Sequence, residues 1–272
     1  MAQKRLTLQE TVDQELGRRS FLKLAGIGVV ASAIAALPAE IVEAAENFTT
    51  KKKFRYGMTI DLKRCVNCEA CTAACKLENK TPPGVTYNPV IEEEVGEFPD
   101  VQRRWFPRPC FHCEKPPCID VCPVGATYKR EEDGIVLVDH DKCIGAGDCI
   151  PACPYGARIF DEGKNYPAQE TEYGNIPSPE FHSKYGLREK AKAPIGNARK
   201  CTFCLHLQDA SGQYTRPTAC AETCMGKAIH FGDFLTGRCI GHGCNLNELI
   251  THRKWTRLKE ELGTEPNVYY LL

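Results

Sequence analysis

The cysteines between Cys110 and Cys153 decide the fold of this chain. They read Cys110-x2-Cys113-x4-Cys118-x3-Cys122-Pro123 and then Cys143-x5-Cys149-x3-Cys153-Pro154. The short gaps place three sulfur atoms on one tight loop, and the remote fourth cysteine begins the next helix. In cysteine runs of this spacing, three thiolates hold one iron–sulfur cluster and the fourth holds its neighbour. The two runs therefore predict a pair of clusters.

Two further cysteine groups flank this stretch. Cys65-x2-Cys68-x2-Cys71-x3-Cys75 precedes it, with Lys76 in place of the usual proline, and Cys201-x2-Cys204-x15-Cys220-x3-Cys224 follows it. The ends of the groups repeat as Cys122-Pro-Val-Gly-Ala126, Cys153-Pro-Tyr-Gly-Ala157 and Cys224-Met-Gly-Lys-Ala228. Such internal repetition is typical of duplicated ferredoxin modules.

The composition narrows the class of protein. The chain has 272 residues and 17 cysteines, with 35 acidic and 35 basic side chains, so its net charge gives no indication of nucleic-acid binding. No apolar run reaches the roughly 18 residues of a membrane span, and we expect contact with a bilayer only through a partner. A disulfide-stapled secreted protein and zinc ribbons are the alternatives. Clustered spacing argues against the first, and the x3-Cys-Pro ending argues against the second.

Residues 1–44 are typical of a targeting segment. Arg18-Arg19-Ser20-Phe21-Leu22-Lys23 matches a twin-arginine export motif, a mild apolar stretch runs from Leu24 to Leu37, and Val42-Glu43-Ala44 offers a cleavage site. A surface helix with a chance arginine pair and an uncleaved membrane anchor are the alternatives. Because this route exports folded proteins, it suits a chain that receives its clusters in the cytoplasm. The sequence predicts a periplasmic protein.

The remaining segments give a coarse secondary structure. We expect a strand at Tyr56–Asp61, a hairpin of 127–130 with 135–138 about Asp133-Gly134, and a helix over 246–262. Its apolar positions would be Leu249, Leu258 and Leu262. Residues 161–198 show no periodicity and predict a long surface loop, a clamp on a partner or disorder. Glu92-Glu93-Glu94 predicts a solvated face, with docking to a redox partner as the alternative.

With its four cysteine groups in order, the chain resembles the four-cluster iron–sulfur subunit of the molybdopterin-dependent respiratory reductases, such as the dimethyl sulfoxide, polysulfide, tetrathionate and nitrate reductases and the formate dehydrogenases. The resemblance covers 54–272. It also depends on the Asp-Gly-Ile-Val-Leu-Val-Asp approach to Cys143, the Gly-Ala after the Cys-Pro pairs, and the Val-Tyr-Tyr-Leu ending. Because this subunit has an export signal of its own, the chain is more similar to the corresponding subunits of tetrathionate reductase, of formate-dependent nitrite reduction, or of the membrane complex that accompanies dissimilatory sulfite reductase.

The resemblance implies that group one is paired with group four and group two with group three. It then implies one ligand set for each cluster. These sets are Cys65, Cys68, Cys71 and Cys224 for cluster 1; Cys75, Cys201, Cys204 and Cys220 for cluster 2; Cys110, Cys113, Cys118 and Cys153 for cluster 3; and Cys122, Cys143 and Cys149 for cluster 4.

The fold that the resemblance implies is α+β, with two intertwined ferredoxin-like modules. Residues 54–105 and 199–262 would form the first module and residues 106–160 the second, with the surface loop 161–198 between them and a C-terminal tail at 263–272.

Cluster 4 departs from the pattern of the family. Ala146 stands where a cysteine is expected after Cys143, so three thiolates remain. Nitrate reductases have a comparable position without a cysteine, occupied by tryptophan, and a [3Fe–4S] cluster. We therefore expect three [4Fe–4S] clusters and one [3Fe–4S] cluster. The alternatives are four [4Fe–4S] clusters, with water or another residue on the open iron, and an empty site; Asp148 is the nearest oxygen donor in the loop.

The implied function is electron transfer through four clusters, between an integral membrane quinone-interacting subunit and a periplasmic partner. That partner would be a molybdopterin catalytic subunit or a cytochrome-containing subunit. The alternative is a stand-alone reductase that acts at the open-coordinated cluster, but Gly145-Ala146-Gly147-Asp148 is poor in acid–base groups. We expect no substrate pocket and no catalytic residue in this chain.

Four side chains near the cysteine groups have no place among the ligands. Cys239 and Cys244 follow the fourth group, and a local disulfide is the favoured interpretation, with free buried thiols as the alternative. His112 and His206 lie within the cysteine loops, where the thiolates already suffice. We expect these histidines to support the loops or to lie at the surface.

Overall fold

The computed structural model describes residues 52–82, 84–163 and 195–272, in which short helices and strands alternate with loops. Residues 52–272 group together as one unit. In chain order the elements are β1 (Tyr56–Asp61), α1 (Ala70–Asn79), β2 (Val90–Val95), β3 (Gln102–Pro107), α2 (Pro117–Asp120), β4 (Thr127–Lys129), β5 (Val136–Val138), β6 (Ile159–Phe160), β7 (Ala198–Arg199), a 3-10 turn (Leu205–Leu207), α3 (Ala219–Glu222), β8 (Ile229–Asp233), α4 (Leu246–His252), β9 (Trp255–Thr256), a second 3-10 turn (Glu260–Leu262) and β10 (Val268–Leu271).

A four-stranded sheet in the order β8, β1, β10, β9 brings distant parts of the chain together. β1 runs parallel to β10 and antiparallel to β8. β1 leads into the first cysteine group and β8 follows the fourth, and the Asp61 amide donates to the Ala228 carbonyl at 2.8 Å. The sheet therefore holds the first and fourth cysteine groups side by side.

The two faces of this sheet pack against different parts of the chain. Successive strand residues point to opposite faces, and alternate residues of β1, β8 and β10 join the main core, among them Met58, Phe231 and Tyr270. A smaller cluster on the other face contains Phe234, Cys239, Leu246 and Tyr269. The sheet thus separates the main core from a second layer formed by α4 and the loop before it.

Short helices carry many of the cysteines. α1 contains Cys71 and Cys75, α2 contains Cys118, and α3 contains Cys220. α2 begins with Pro117, a residue suited to the first helical position because its missing amide hydrogen would have no partner there. These helices are too short to be stable alone, so their position depends on packing and on the cysteine loops.

The structure confirms several of the expected elements. β1 has the predicted bounds, β4 and β5 form the antiparallel hairpin about Asp133-Gly134, and Glu92–Glu94 are exposed on β2. The described residues combine helices with strands, in agreement with the α+β class.

The helix expected over 246–262 is wrong in its length. α4 ends at His252 because Arg253 is extended, at φ −124° and ψ 151°, and Trp255 then pairs with Leu271 in the sheet. Leu262, expected on an apolar helix face, is exposed. Pairing with the C-terminal strand outweighs the weak helical periodicity of this segment.

Two predictions concern residues that the structure does not describe. The export segment 1–44 lies outside the described residues, as do 164–194 of the loop 161–198. The described ends of that loop are partly buried: Asp161, Asn197 and Ala198 are buried and β6 pairs with β7, whereas Glu162 and Ile195 are exposed. Within the described ranges, no helix is both long and apolar enough to cross a bilayer.

Candidate iron–sulfur centres

The four cysteine groups share one backbone turn. In the Cys-x-x-Cys segments the residue before the second cysteine has a positive φ, which is 53° at Asn67, 43° at His112 and 54° at Phe203. Such left-handed backbone is uncommon for residues with a side chain, so its recurrence shows a common local constraint. In the third group φ is 74° at Gly145, directly before Ala146. Ala146 therefore occupies the place that the second cysteine has in the other groups.

The first cavity joins cysteines from opposite ends of the described chain. It is lined by apolar residues such as Val90 and Ile229 together with Cys65, Cys68, Cys71 and Cys224. Gly226 also lines it, and a side chain there would come within 2.5 Å of the Arg64 carbonyl oxygen. A glycine at 226 is thus what lets the loop after Cys224 approach the loop before Cys65.

The second cavity is formed by the second group and the end of the third. It has an almost wholly apolar lining that includes Phe111, Val136 and Tyr155. The cysteines that it gathers are Cys110, Cys113, Cys118 and Cys153. Their side chains come from loops and from α2, so no single segment could assemble this site alone.

The third cavity contains three cysteines. It gathers Cys122, Cys143 and Cys149, with Ala146 and Asp148 also in its wall. Among the described residues that line it, no further sulfur is present. Burial raises the pKa of the Cys122 thiol, but backbone amides of Thr127, Val124 and Ala126 donate to it and leave the pKa below its usual value. This cavity can offer three thiolates to a metal group.

The remaining four cysteines lie close together inside the protein. Burial raises the pKa of Cys75 well above its usual value, and the negative charges of Cys201, Cys220 and Cys204 raise it further. The Asn79 side-chain amide donates to Cys75 Sγ at 3.5 Å and lies 4.0 Å from Cys204 Sγ. All four of these cysteines are buried.

The chemistry of these donors fits iron–sulfur clusters. Burial raises the pKa of Cys113 and Cys201 to about 12 and that of Cys71 and Cys204 to about 11, and neighbouring thiolates of each set add to the rise at Cys113, Cys201 and Cys71. Several buried thiolates in one site are stable only beside a compensating cation. Iron provides that charge, and its binding releases the thiol protons. When bound, a cluster supplies reversible one-electron chemistry, whose potential depends on charge, hydrogen bonds to sulfur and solvent exposure.

Comparison with known proteins agrees with this geometry. Residues 101–169 match a family model described as a 4Fe-4S dicluster domain. The chain is 52% identical over 222 residues to the B subunit of selenate reductase from Mesobacillus selenatarsenatis, which covers 80% of this chain and 72% of that protein. It is 34% identical over 264 residues to the B subunit of tetrathionate reductase from Salmonella typhimurium, with 96% and 90% covered. It is also 34% identical to protein NrfC of Escherichia coli, with 93% of each covered.

The chain belongs to the iron–sulfur subunit family of the molybdopterin-dependent respiratory reductases. It is an electron-transfer subunit of a multi-subunit reductase that binds iron–sulfur clusters. Its relatives are named as iron–sulfur or B subunits rather than as catalytic ones. The alternative of a stand-alone reductase is not favoured.

Two buried cations beside the cysteines escaped the sequence analysis. Arg158 is 3% exposed, and its Nη2 donates to Cys118 Sγ at 3.1 Å while Nη1 donates to Thr127 at 3.1 Å. Lys200 is 2% exposed, and its Nζ donates to the Cys201 carbonyl oxygen at 2.6 Å. Each follows or precedes a cysteine motif directly, and that adjacency was the available signal. In this iron–sulfur subunit both cations offset the negative charge of the thiolates.

We expect Arg158→Gln to lower the reduction potentials of the sites held by Cys118 and Cys149. Burial lowers the pKa of Arg158, but the charges of Cys118, Cys149 and Cys110 overcome this and raise it, so the guanidinium interacts with two cysteine sets. A positive charge favours the reduced state by up to about 100 mV at an effective dielectric constant of about 20. EPR-monitored redox titration would measure the shift. Arg158→Lys, which keeps the charge, should retain most of the potential, and equal shifts in both variants would contradict the electrostatic explanation.

The two histidines in the cysteine loops serve the loops. His112 is fully buried, its Nδ1 accepts from the Val136 amide at 3.0 Å, and its ring centroid lies 3.9 Å from that of Phe203. Burial and the charge of Lys200 lower its pKa well below the usual value, so the ring is neutral. His206 Nε2 is 2.6 Å from Glu78 Oε1. The expectation of supporting roles agrees with these contacts.

The two cysteines outside the groups form a disulfide, as the sequence analysis favoured. Cys239 and Cys244 are joined with a Cα–Cα distance of 5.4 Å, within the usual range for this bond. Every other cysteine in the described ranges is free of disulfide bonds.

Proposed function

We propose that the cysteines hold four clusters as the resemblance implies, in the sets Cys65/Cys68/Cys71/Cys224, Cys75/Cys201/Cys204/Cys220, Cys110/Cys113/Cys118/Cys153 and Cys122/Cys143/Cys149. The support is that three cavities each gather cysteines from groups that are distant in sequence. The set without a cavity of its own, that of Cys75, is supported by the burial of Cys75 and by the charges of Cys201, Cys204 and Cys220, which raise its pKa.

The sites form one row in which each neighbour is linked through the polypeptide. Numbered as clusters 1 to 4 in the order of the sets just given, the first and second sites are joined by α1 through Cys71 and Cys75. The contact between His112 and Phe203 joins the second site to the third. Cys149 and Cys153, four residues apart, join the fourth site to the third. The chain's role is to fix these separations and to exclude water from the interior sites.

Exposure distinguishes the ends of the row from its middle, and this observation supports the transfer function best. Of the seven cysteines at the two ends, Cys68 is exposed, four are partly exposed (Cys65, Cys122, Cys143 and Cys224) and two are buried (Cys71 and Cys149). Of the eight cysteines in the middle, seven are buried and Cys153 is partly exposed. Apolar side chains project beside both ends: Met225 is 78% exposed and Val66 64% near the first site, and Ile144 is 67% exposed at the fourth. Electrons are exchanged with partners at these two ends.

The resemblance implies both partners, and the names of the relatives support a multi-subunit reductase. The end with Ile144 contacts an integral membrane quinone-interacting subunit, and the end with Met225 contacts a periplasmic catalytic subunit that carries molybdopterin, or else a cytochrome-containing subunit. One relative, 36% identical over 245 residues with 80% of this chain and 89% of that protein covered, is the iron–sulfur subunit of menaquinone reductase of Nitratidesulfovibrio vulgaris. Others are named for selenate, tetrathionate, arsenate and dimethyl sulfoxide, and the 52% identity to the selenate reductase subunit favours an oxyanion as the reducible substrate of the complex.

The same proposal covers cluster types, modules and location. Three sites hold [4Fe–4S] and the site with Ala146 holds [3Fe–4S]; the elevated potential of a three-iron site suits exchange with quinone. Residues 54–105 with 199–262, and 106–160, form two intertwined ferredoxin-like modules, which accords with cavities shared between groups. The chain is exported folded by the twin-arginine route, for which residues 1–44 provide the motif.

We expect Ile144→Asp and Met225→Asp to release different partners from the affinity-purified complex. A buried carboxylate at an apolar contact lacks a partner and weakens binding at least tenfold. Ile144→Asp should lose the membrane subunit and reduction by a quinol, and Met225→Asp should lose the molybdenum or haem of the catalytic side, with iron unchanged. Phe98→Asp is the matched control, because Phe98 is 92% exposed and lines none of the three cavities. Retention of both partners by both variants would overturn the assignment of the two ends.

A further inference from the structure

A second group of sulfur and nitrogen donors lies on the face of the central sheet opposite the main core. It consists of His230 on β8 and of Cys239, His242 and Cys244 in the loop before α4, in the spacing His-x8-Cys-x2-His-x-Cys. Of the described residues, His230, Cys239 and Cys244 bring their donor atoms within 4.8 Å of one another. None of these four residues lines the cavities described above.

Glycines hold this loop against the strand. Cys239 bridges to Gly232, where a Cβ would lie 2.2 Å from the Arg238 carbonyl oxygen. Gly241 has φ +78°, and a side chain there would collide with Pro217 at 2.1 Å. The Ile240 amide donates to the Phe231 carbonyl at 2.8 Å. The donors are therefore fixed in position by the backbone, independently of the bond between the two sulfurs.

One histidine lies beside the sulfurs and the second lies beside the first. His230 Nδ1 lies 3.5 Å from Cys244 Sγ, and the rings of His230 and His242 are 5.4 Å apart and nearly perpendicular. His242 Nδ1 is buried and, within the described part of the protein, has no hydrogen-bond partner. The same is true of Oγ1 of Thr59, which pairs directly with His230 across the sheet. Unpartnered buried polar atoms of this kind point to a ligand.

We propose that Cys239, Cys244, His230 and His242 form a binding site for a divalent ion of the zinc class, which the disulfide closes. Two thiolates and two imidazoles are the donor set that zinc takes in tetrahedral sites. Sulfurs bound to one tetrahedral zinc ion lie about 3.8 Å apart, given zinc–sulfur bonds of about 2.3 Å. The Cα–Cα distance of 5.4 Å accommodates that separation through side-chain rotation alone.

The site changes between its disulfide form and its metal-bound dithiolate form by thiol–disulfide exchange. A dithiol reductant transfers two electrons to the Cys239–Cys244 bond, becomes a disulfide itself, and leaves two thiols, which lose their protons as the ion binds. A small-molecule disulfide reverses the step: it accepts two electrons as its own bond breaks, the Cys239–Cys244 bond forms, and the ion leaves. The site is thus open under reducing conditions and closed under oxidising ones.

The test uses the full chain with its clusters, kept anaerobic and treated with a phosphine reductant or left oxidised. Zinc is added at one equivalent, free metal is removed by gel filtration, and zinc and iron are counted for each chain. We expect about one zinc in the reduced protein and less than a tenth of that in the oxidised protein or in the Cys239→Ser/Cys244→Ser variant. Zinc K-edge absorption, which iron does not disturb, should show two sulfurs at about 2.3 Å and two nitrogens at about 2.0 Å.

A second variant guards against misfolding of the first. His242→Ala should weaken zinc binding at least tenfold with iron unchanged, whereas His252→Ala, which removes an exposed histidine of α4, should bind zinc as the wild type does. Equal zinc in the reduced wild type and the double cysteine variant would overturn the proposal. So would an absence of zinc from the reduced wild type, or a coordination shell of four sulfurs, which would place the metal in a cluster site.

Discussion

Replacing Cys118 with serine is expected to remove about four irons from each chain and to reduce accumulation of the protein at least fivefold. Cys118 brings α2 to the cavity that it shares with Cys110, Cys113 and Cys153. The variant also deprives the buried Arg158 guanidinium of the sulfur at 3.1 Å to which it donates. Arg158 keeps its contact with Thr127, but the loss of a thiolate charge beside a buried cation destabilises the folded chain, in addition to the lost ligation. Iron and acid-labile sulfide for each chain, with immunoblots of anaerobic extracts, measure both effects.

Cys239→Ser is the matched control for this prediction. It is the same chemical change at a buried cysteine, but Cys239 belongs to the disulfide and lines none of the three cavities. Its iron content should equal that of the wild type. Normal amounts of Cys118→Ser protein with a full complement of iron would refute the ligand set proposed for the second cavity.

Ala146→Cys is expected to convert the proposed three-iron site into a [4Fe–4S] site, raising the iron content from about fifteen to about sixteen atoms for each chain. Gly145 has φ 74°, which matches the backbone of Asn67, His112 and Phe203 before their cysteines. Ala146 also lines the cavity of Cys122, Cys143 and Cys149. A thiol at this position therefore replaces a methyl group at the wall without a change of backbone.

Low-temperature EPR of air-oxidised protein measures this conversion. The wild type should give the near-isotropic signal of an oxidised three-iron cluster, and Ala146→Cys should lose it. Ala146→Ser, which is similar in size but lacks the thiolate, should keep the signal. A wild type without this signal and with about sixteen irons would show that the fourth site already holds a complete cluster.

The sequence predicted the parts of the fold that short-range patterns determine. The strand at Tyr56–Asp61 and the hairpin about Asp133-Gly134 follow from local alternation and turn chemistry, and both are present. The segment 246–262 was mispredicted because its end is set by pairing between Trp255 and Leu271, a contact that no local window contains.

The candidate sites divide in the same way. The cysteine groups were evident from spacing, whereas the grouping of Cys224 with Cys65 required a family resemblance, because the sheet that brings them together depends on strands far apart in the chain. The roles of Arg158 and Lys200 were missed, since a buried cation is distinguished from a surface one only after folding. The second donor group was also missed, because the close contact at Gly232 that brings His230 to the disulfide depends on the fold.

Cys71 and Cys75 lie on one helix, and in the proposed ligand sets they belong to different clusters, so the helix fixes the distance between those two clusters. Four residues of α-helix advance about 6 Å, so the spacing of these two neighbouring clusters is set by covalently linked backbone rather than by a flexible contact. Thermal motion of the surrounding loops can alter solvent access to the clusters but cannot change the length of the helix between them. The rate of electron transfer between these clusters should therefore be insensitive to solvent viscosity and to partner binding. The overall rate will be determined at the two ends of the cluster row, where electrons pass between proteins.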